Sequence, residues 1–343
     1  MKTILLTEPG QIEITEMPEE SPGPGEVKLR IQSCSVCGSD LEGFHGIHPK
    51  MTFPRVMGHE VGSTVEEVGD EVTDFKPGDR VAGTGRKACR SCESCRAGRP
   101  AECTNLGGPG FTAHGAYAES MTVVTDGLVH MPEGMTFDQT AVAQPASIAN
   151  HAVTGRAQVQ PGDTLLVQGC GPIGLSAMMI AKLQGAYVIS TDIVDYRVQF
   201  ARDLGADLAL NVRKEDLFAP IQDLTHGKGV DKVIECVGAD QDETIPQAVQ
   251  AVKASGLVVV VGSFAANKAT VPIIDFKFSE KALMGSQGMP EGYGPVFDLM
   301  SAGKLDLDPL ITHRIPLDRA PWALDLMDRK DEGVMKVVLQ PQT

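Results

Sequence analysis

The segment from Asp163 to Asp192, DTLLVQGCGPIGLSAMMIAKLQGAYVISTD, constrains the fold of this chain more than any other. Leu165, Leu166 and Val167 form a short apolar run of the kind shown by a parallel strand buried on both faces. Gly169, Gly171 and Gly174 follow at G-x-G-x-x-G spacing. A helical pattern then carries Ile173, Ala177, Met178 and Ala181 inward until Gly185 stops it. Tyr187, Val188 and Ile189 resume a strand ending on Asp192. The segment reads as one βαβ unit with a glycine fingerprint.

Each glycine has a mechanical reason. Gly169 permits a tight turn, Gly171 lets backbone approach a pyrophosphate, and Gly174 lets the helix sit closely on the strand. Pro172 and Ile173 open that helix, whose free N–H groups attract phosphate. A bare glycine triplet also fits a turn that merely needs flexible residues. Here it follows a strand, opens a helix and has an acidic residue about twenty positions on, as a dinucleotide site requires. Asp192 is placed to accept hydrogen bonds from the adenosine ribose and to repel the extra phosphate of NADP, and Ile193 beside it is not basic, so the expected cofactor is NAD. Asp192 can equally cap the helix that runs through Arg197. The buried runs ending at Val237 and before Gly262 deliver two further turns to the ligand-binding edge.

The chain has 343 residues, which suggests about two domains and a substantial core. Its 30 basic and 45 acidic side chains give a formal charge of −15, which argues against nucleic acid or an anionic membrane as partner. No apolar run approaches the roughly 20 residues needed to span a bilayer, and no signal-peptide core follows Met1, so a cytoplasmic protein is expected. In that compartment eight cysteines suggest metal more than disulfides. Cys89, Cys92, Cys95 and Cys103 lie within fifteen residues and can close a tetrahedral structural zinc site; an iron–sulfur cluster is the other reading, although the spacing is unlike ferredoxin patterns.

Residues 1–150 read as β-rich and punctuated by turns. The stretch from Glu26 to Ile31 alternates as a half-buried strand should. Beyond Asp192 helices and strands alternate to about Leu283, and Val334 to Leu339 reads as a closing strand that rejoins the first lobe. The expected division is therefore 1–150 with 284–343, carrying a cysteine lobe at 86–105, and 151–283, with the active site in the cleft between lobes.

Cys37-Gly-Ser39-Asp40, Gly58-His59-Glu60, the turn from Pro77 to Val81, the four-cysteine lobe, the stretch from Gly115 to Glu119, the glycine fingerprint and the run from Ile311 to Arg314 together resemble the medium-chain dehydrogenase/reductase superfamily. The likeness is to its zinc-containing branch nearest sorbitol, threonine and polyol dehydrogenases, and covers nearly the whole chain. It implies an α/β fold: a Rossmann doubly wound parallel sheet domain plus a β-rich GroES-like catalytic domain built from both chain ends. It also implies one catalytic and one structural zinc per chain, and a homodimer or homotetramer. Carried over by residue, Cys37 and His59 resemble the catalytic zinc ligands and Glu60 the exchangeable ligand beside them. Ser39 resembles the start of the proton relay, continued by a histidine such as His45. Asp40 resembles the carboxylate that holds the liganding histidine. One departure stands out: Gln144-Pro-Ala replaces the family's Glu-Pro-Leu, and a neutral amide is a poorer fourth ligand, leaving that position to Gln144 or water. The resemblance implies NAD-dependent hydride transfer between the cofactor and a secondary alcohol or ketone of a polyol, sugar alcohol or cyclitol. A zinc-independent reductase on the same scaffold, or a catalytically silent NAD-binding protein, are the alternatives.

Overall fold

The computed structural model describes residues 1–23, 25–85, 92–96, 104–105, 107–238, 241–263, 268–288 and 292–343. The chain forms two compact units, Met1–Gln144 with Asp306–Thr343, and Pro145–Leu305. It passes from one to the other inside helix Phe137–Asn150. Residues 145–150 and 284–305 thus group with the second unit. There, strand Ala282–Gly285 is the last strand of the sheet, and Gly288 and Gly292 lie against Ile148 and Ser147.

The second unit is organised by a six-stranded, all-parallel sheet. Its strands in chain order are Thr164–Gln168, Tyr187–Asp192, Leu208–Asn211, Val230–Glu235, Val252–Val260 and Ala282–Gly285. Their spatial order, counted along the chain, is 3-2-1-4-5-6, the doubly wound dinucleotide arrangement. Leu165, Leu166, Val167, Val188, Ile189, Val233, Ile234, Val258 and Val259 are buried, as strands covered on both faces require. The order reverses between Thr164–Gln168 and Val230–Glu235, so the turns at Gly169 and Cys236 flank the switch point where such sheets bind ligands.

The first unit contains a seven-stranded sheet. Its path runs Ile311–Pro316, Lys336–Gln340, Glu26–Ser35, Glu60–Val68, Arg80–Ala82 and Val129–His130, with Ser120–Val124 also pairing with Glu26–Ser35. The late strand Lys336–Gln340 joins it antiparallel, Val338 opposite Ser35, so both ends of the sequence build this unit. Lys2–Glu8, Gln11–Glu16 and Arg55–Val56 make a smaller sheet. Ile4, Leu6, Val27, Leu29, Ile31, Val61, Val65, Tyr117, Leu324 and Val337 share one core. From Glu26 to Ile31 the odd positions Val27, Leu29 and Ile31 enter that core as expected, but Lys28 on the opposite side is also buried, because Glu19, Glu66 and Glu67 close over its ammonium.

Candidate active site

In the first unit, Cys37 ends an extended stretch and caps helix Gly38–Phe44, while Glu60 opens strand Glu60–Val68 with His59 just before it. This brings Cys37, His59 and Glu60 together: one ligand atom from each lies within 4.8 Å of the other two. A thiol, an imidazole and a carboxylate are the donors of an open zinc site.

The support behind these donors is specific. Asp40 is fully buried, and its Oδ1 lies 3.6 Å from His59 Nδ1. Its Oδ2 accepts from Cys37 N and from the Tyr117 hydroxyl, both at 2.9 Å, and Gly58 N donates to Oδ1 at 3.4 Å. Burial works against its charge, but His59 and these donors hold the Asp40 carboxyl below the usual carboxylate range. Burial likewise works against charge on His59, yet Asp40 and Cys37 push its pKa well above the ordinary value. The pocket therefore favours positive charge where a cation would sit. Orientation of a liganding imidazole by a carboxylate is the arrangement that fixes its tautomer and strengthens it as a donor. Ser39 Oγ stands 3.4 Å from His59 Nε2, at the mouth of the cluster.

Glu60 is fully buried. Its Oε2 accepts hydrogen bonds from Lys336 Nζ and Ser35 Oγ, and its Oε1 is buried without a partner. Lys336 Nζ also donates to Val36 O at 3.0 Å. An anchored carboxylate with one free oxygen beside a thiol and an imidazole fits a divalent ion. The ring of Phe111 covers the cluster, 4.7 Å from the His59 ring and stacked 4.5 Å from His48.

His45 lies elsewhere: it is exposed, with Nε2 bonded to Asp328 at 3.0 Å. Gln144 is half-buried on helix Phe137–Asn150, at the end of the first unit. Of the cysteine lobe, Cys92 is half-buried ahead of helix Glu93–Arg96; Cys89, Cys103 and the side chain of Cys95 lie outside the described residues. Lys336 and Ser35 were not foreseen from the sequence, and Tyr117 was read only as part of the Gly115–Glu119 family stretch. A lysine in the run Met-Lys-Val-Val-Leu was the one available signal.

In the second unit, helix Pro172–Leu183 starts with no side-chain cap and with proline in its first turn, so its terminal N–H groups are free for an anion. Gly169 has φ +90, and a Cβ built at Gly174 would lie 1.8 Å from Gly169 O, so both positions demand glycine. Gly171 caps the helix and Ile173 lies in its first turn. Asp192 does more than expected. Its Oδ2 accepts from Cys170 N at 2.8 Å, and its Oδ1 accepts from Ile193 N and Val194 N at 2.7 and 2.9 Å, which fixes the fingerprint turn to the second strand. Arg197 Nε is buried without a partner, an orphan donor close enough to Cys170 to act on its thiol. Val237 packs beneath Gly169, and Gly262 lies against Val237 O. The uncapped helix, the glycines and the orphan donor fit a dinucleotide.

Residues 23–133 match the alcohol dehydrogenase GroES-like domain, and residues 172–302 match the zinc-binding dehydrogenase domain. The chain is 33% identical to an L-threonine 3-dehydrogenase of Anaeromyxobacter sp. (strain Fw109-5), over 95% of this chain and 94% of that one. It is 31% identical to a sorbitol dehydrogenase of Halalkalibacterium halodurans, over 99% of each. Among solved structures, an Escherichia coli CFT073 alcohol dehydrogenase complexed with NADH superposes with a TM-score of 0.90 at 29% identity, covering 99% of each chain. A putative zinc-binding dehydrogenase of Sinorhizobium meliloti bound to NADP gives 0.89 at 30% identity, with the same coverage. The chain belongs to the zinc-containing medium-chain dehydrogenase/reductase superfamily, in its polyol and threonine dehydrogenase branch.

Proposed function

We propose that this alcohol dehydrogenase is zinc-dependent and NAD-dependent, and that it interconverts a secondary alcohol of a polyol, sugar alcohol or cyclitol with its ketone. The observation that carries this reading is the convergence of Cys37, His59 and Glu60 in front of buried Asp40. These three residues would hold the ion, with Gln144 or water completing its surroundings. Zinc, when bound, supplies Lewis-acid polarisation of the substrate oxygen. Asp40 keeps His59 oriented, Lys336 and Ser35 keep Glu60 from rotating away, and Phe111 shields the cluster from water. Ser39 would relay the hydroxyl proton, accepting it while passing its own on along the relay, and a bound nicotinamide would accept the C–H electron pair of the same carbon as hydride, so that alcohol and NAD⁺ give ketone, NADH and one proton. Asp192 supports NAD over NADP, because a carboxylate beside the ribose repels a 2′-phosphate. From Ser39 the proton would continue through a histidine such as His45, whose Nε2 is bonded to Asp328. Four thiolates at Cys89, Cys92, Cys95 and Cys103 support a second, structural zinc.

Self-association as a homodimer or homotetramer is supported by one surface. Ile273, Ile274 and Phe278 are 64%, 73% and 78% exposed, and Leu283 and Met284 project from the neighbouring edge strand. An unpaired apolar strand edge of this kind is normally covered.

The deciding experiment is NADH production over a panel of polyols, with zinc analysis on the same sample. Turnover with two zinc ions per chain is expected. Enone reduction with a single zinc per chain, held by the cysteine lobe, would favour the zinc-independent reading. NADH binding without turnover of any alcohol or ketone would favour a silent protein.

A further inference from the structure

One buried carboxyl of the second unit has no part in the chemistry above. Glu235 is fully buried at the C-terminal end of strand Val230–Glu235, beside the switch point. Its Oε1 accepts from Val237 N at 3.0 Å and from Thr244 Oγ1, in helix Gln241–Ala251, at 3.0 Å. The backbone N–H of Gly262 donates to the main-chain oxygen of Glu235 at 3.1 Å. A Cβ at Gly262 would lie 2.8 Å from Glu235 Oε2 and 2.0 Å from Val237 O, so the turn after strand Val252–Val260 rests directly on it. One side chain thus bonds the turn after its own strand and the first turn of a helix, and packs against the turn after the next strand.

The second oxygen is what makes the arrangement unusual. Glu235 Oε2 is buried without a partner, and so is Oε1 of Gln168, the residue paired with Glu235 in the adjacent strand. An unsatisfied buried oxygen is strongly disfavoured, and for Glu235 Oε2 a proton removes the cost of a buried negative charge. We propose that Glu235 is a positioning residue for the dinucleotide, its carboxyl group holding the Val237 and Gly262 turns in register with the glycine fingerprint so that the cofactor edge is set in advance. The inference rests on the dinucleotide reading of this unit.

Burial pushes the Glu235 carboxyl up to about 7, against the opposing pull of Thr244, Val237 and Gly262. The neighbouring titratable groups do not replace it in that range. Cys236 and Cys170 are thiols driven upward by burial, Asp192 is bonded to three backbone N–H groups, Arg197 is a permanent cation, and Asp242 and Glu243 are exposed. Below about pH 7 the neutral acid leaves no buried charge at the cofactor edge while Oε1 keeps its bonds to Val237 N and Thr244 Oγ1. Above it, a buried anion loosens the clamp and repels the pyrophosphate. NADH affinity should therefore be highest on the acid side and fall as pH rises.

The test is NADH dissociation constants, read by fluorescence on the full-length, zinc-loaded protein between pH 6 and pH 9, for wild type, Glu235→Gln and Glu235→Ala. Wild type should weaken several-fold across the range. Glu235→Gln, which keeps the acceptor and supplies a permanent donor, should stay near the low-pH wild-type value and lose the pH dependence. Glu235→Ala should weaken NADH on the order of tenfold by releasing both turns. If Glu235→Ala does not fold, the Glu235→Gln profile alone decides. A flat wild-type profile, the same slope in Glu235→Gln, or full affinity in Glu235→Ala overturns the proposal. A wild type that binds no dinucleotide at all overturns the cofactor reading with it.

Discussion

Replacing Lys336 by methionine should damage the first unit more than almost any other single change. The side chains of Lys336 and Glu60 are 2% and 1% exposed, so neither charge can turn to water when the other is removed. Burial opposes the charge on Lys336, and Glu60 more than offsets it, raising the lysine pKa. Breaking a buried pair from one side typically costs about 3–5 kcal/mol, because the remaining charge is left uncompensated. Against a total stability of about 5–15 kcal/mol, that is a large fraction. The assay is urea unfolding of metal-stripped protein, followed by fluorescence of the only tryptophan, Trp322, which belongs to the same unit. Lys336→Met should lose about 3–5 kcal/mol, Lys336→Arg much less, and the double variant Lys336→Met with Glu60→Gln should recover part of the loss because the stranded anion is gone. Zinc added to Lys336→Met should recover part as well, since a divalent ion supplies Glu60 with a countercharge. A loss below about 1 kcal/mol, or no recovery in the double variant, refutes the reasoning.

Three further outcomes are expected. Cys37→Ser should abolish turnover while NADH still binds with wild-type affinity, and undiminished activity would remove Cys37 from the metal site. Asp192→Gly should weaken NAD relative to NADP, by steady-state kinetics with both; because Asp192 also holds Cys170 N, overall affinity should fall too, and an unchanged NAD/NADP ratio would sink the argument for NAD. Phe278→Asp should shift the protein to a smaller species in light scattering without changing its melting in dilute solution, whereas an unchanged mass would dissociate this surface from self-association.

The second unit was legible in the sequence because its signals are local. A strand, a turn of three glycines, a helix and a strand-end acid lie within thirty residues, whereas the reversal in the order 3-2-1-4-5-6 is set by the fold and not by that unit. The metal cluster was half legible. Cys37, Ser39 and Asp40 share one turn of chain, and His59 with Glu60 share another, but only folding sets a carboxylate behind the imidazole. What anchors Glu60 could not be read, since Lys336 is 276 residues away and looks like any exposed strand lysine. Lys28 misled the period-two reading for the same reason, its three glutamates coming from other segments. His45 sits near Ser39 in sequence, but its ring bonds to Asp328, far along the chain. The division at Gln144 escaped because helix Phe137–Asn150 runs through it, despite Pro145 at that point.

The distance along the chain between Glu60 and its ammonium partner also orders events on the ribosome. Residues 145–305 are all translated before codon 336 is reached, so the nucleotide-binding half can mature while the other half still lacks its final strand. Until then Glu60 lacks the Lys336 ammonium, and the anchoring of the pocket for the ion waits on strand Lys336–Gln340.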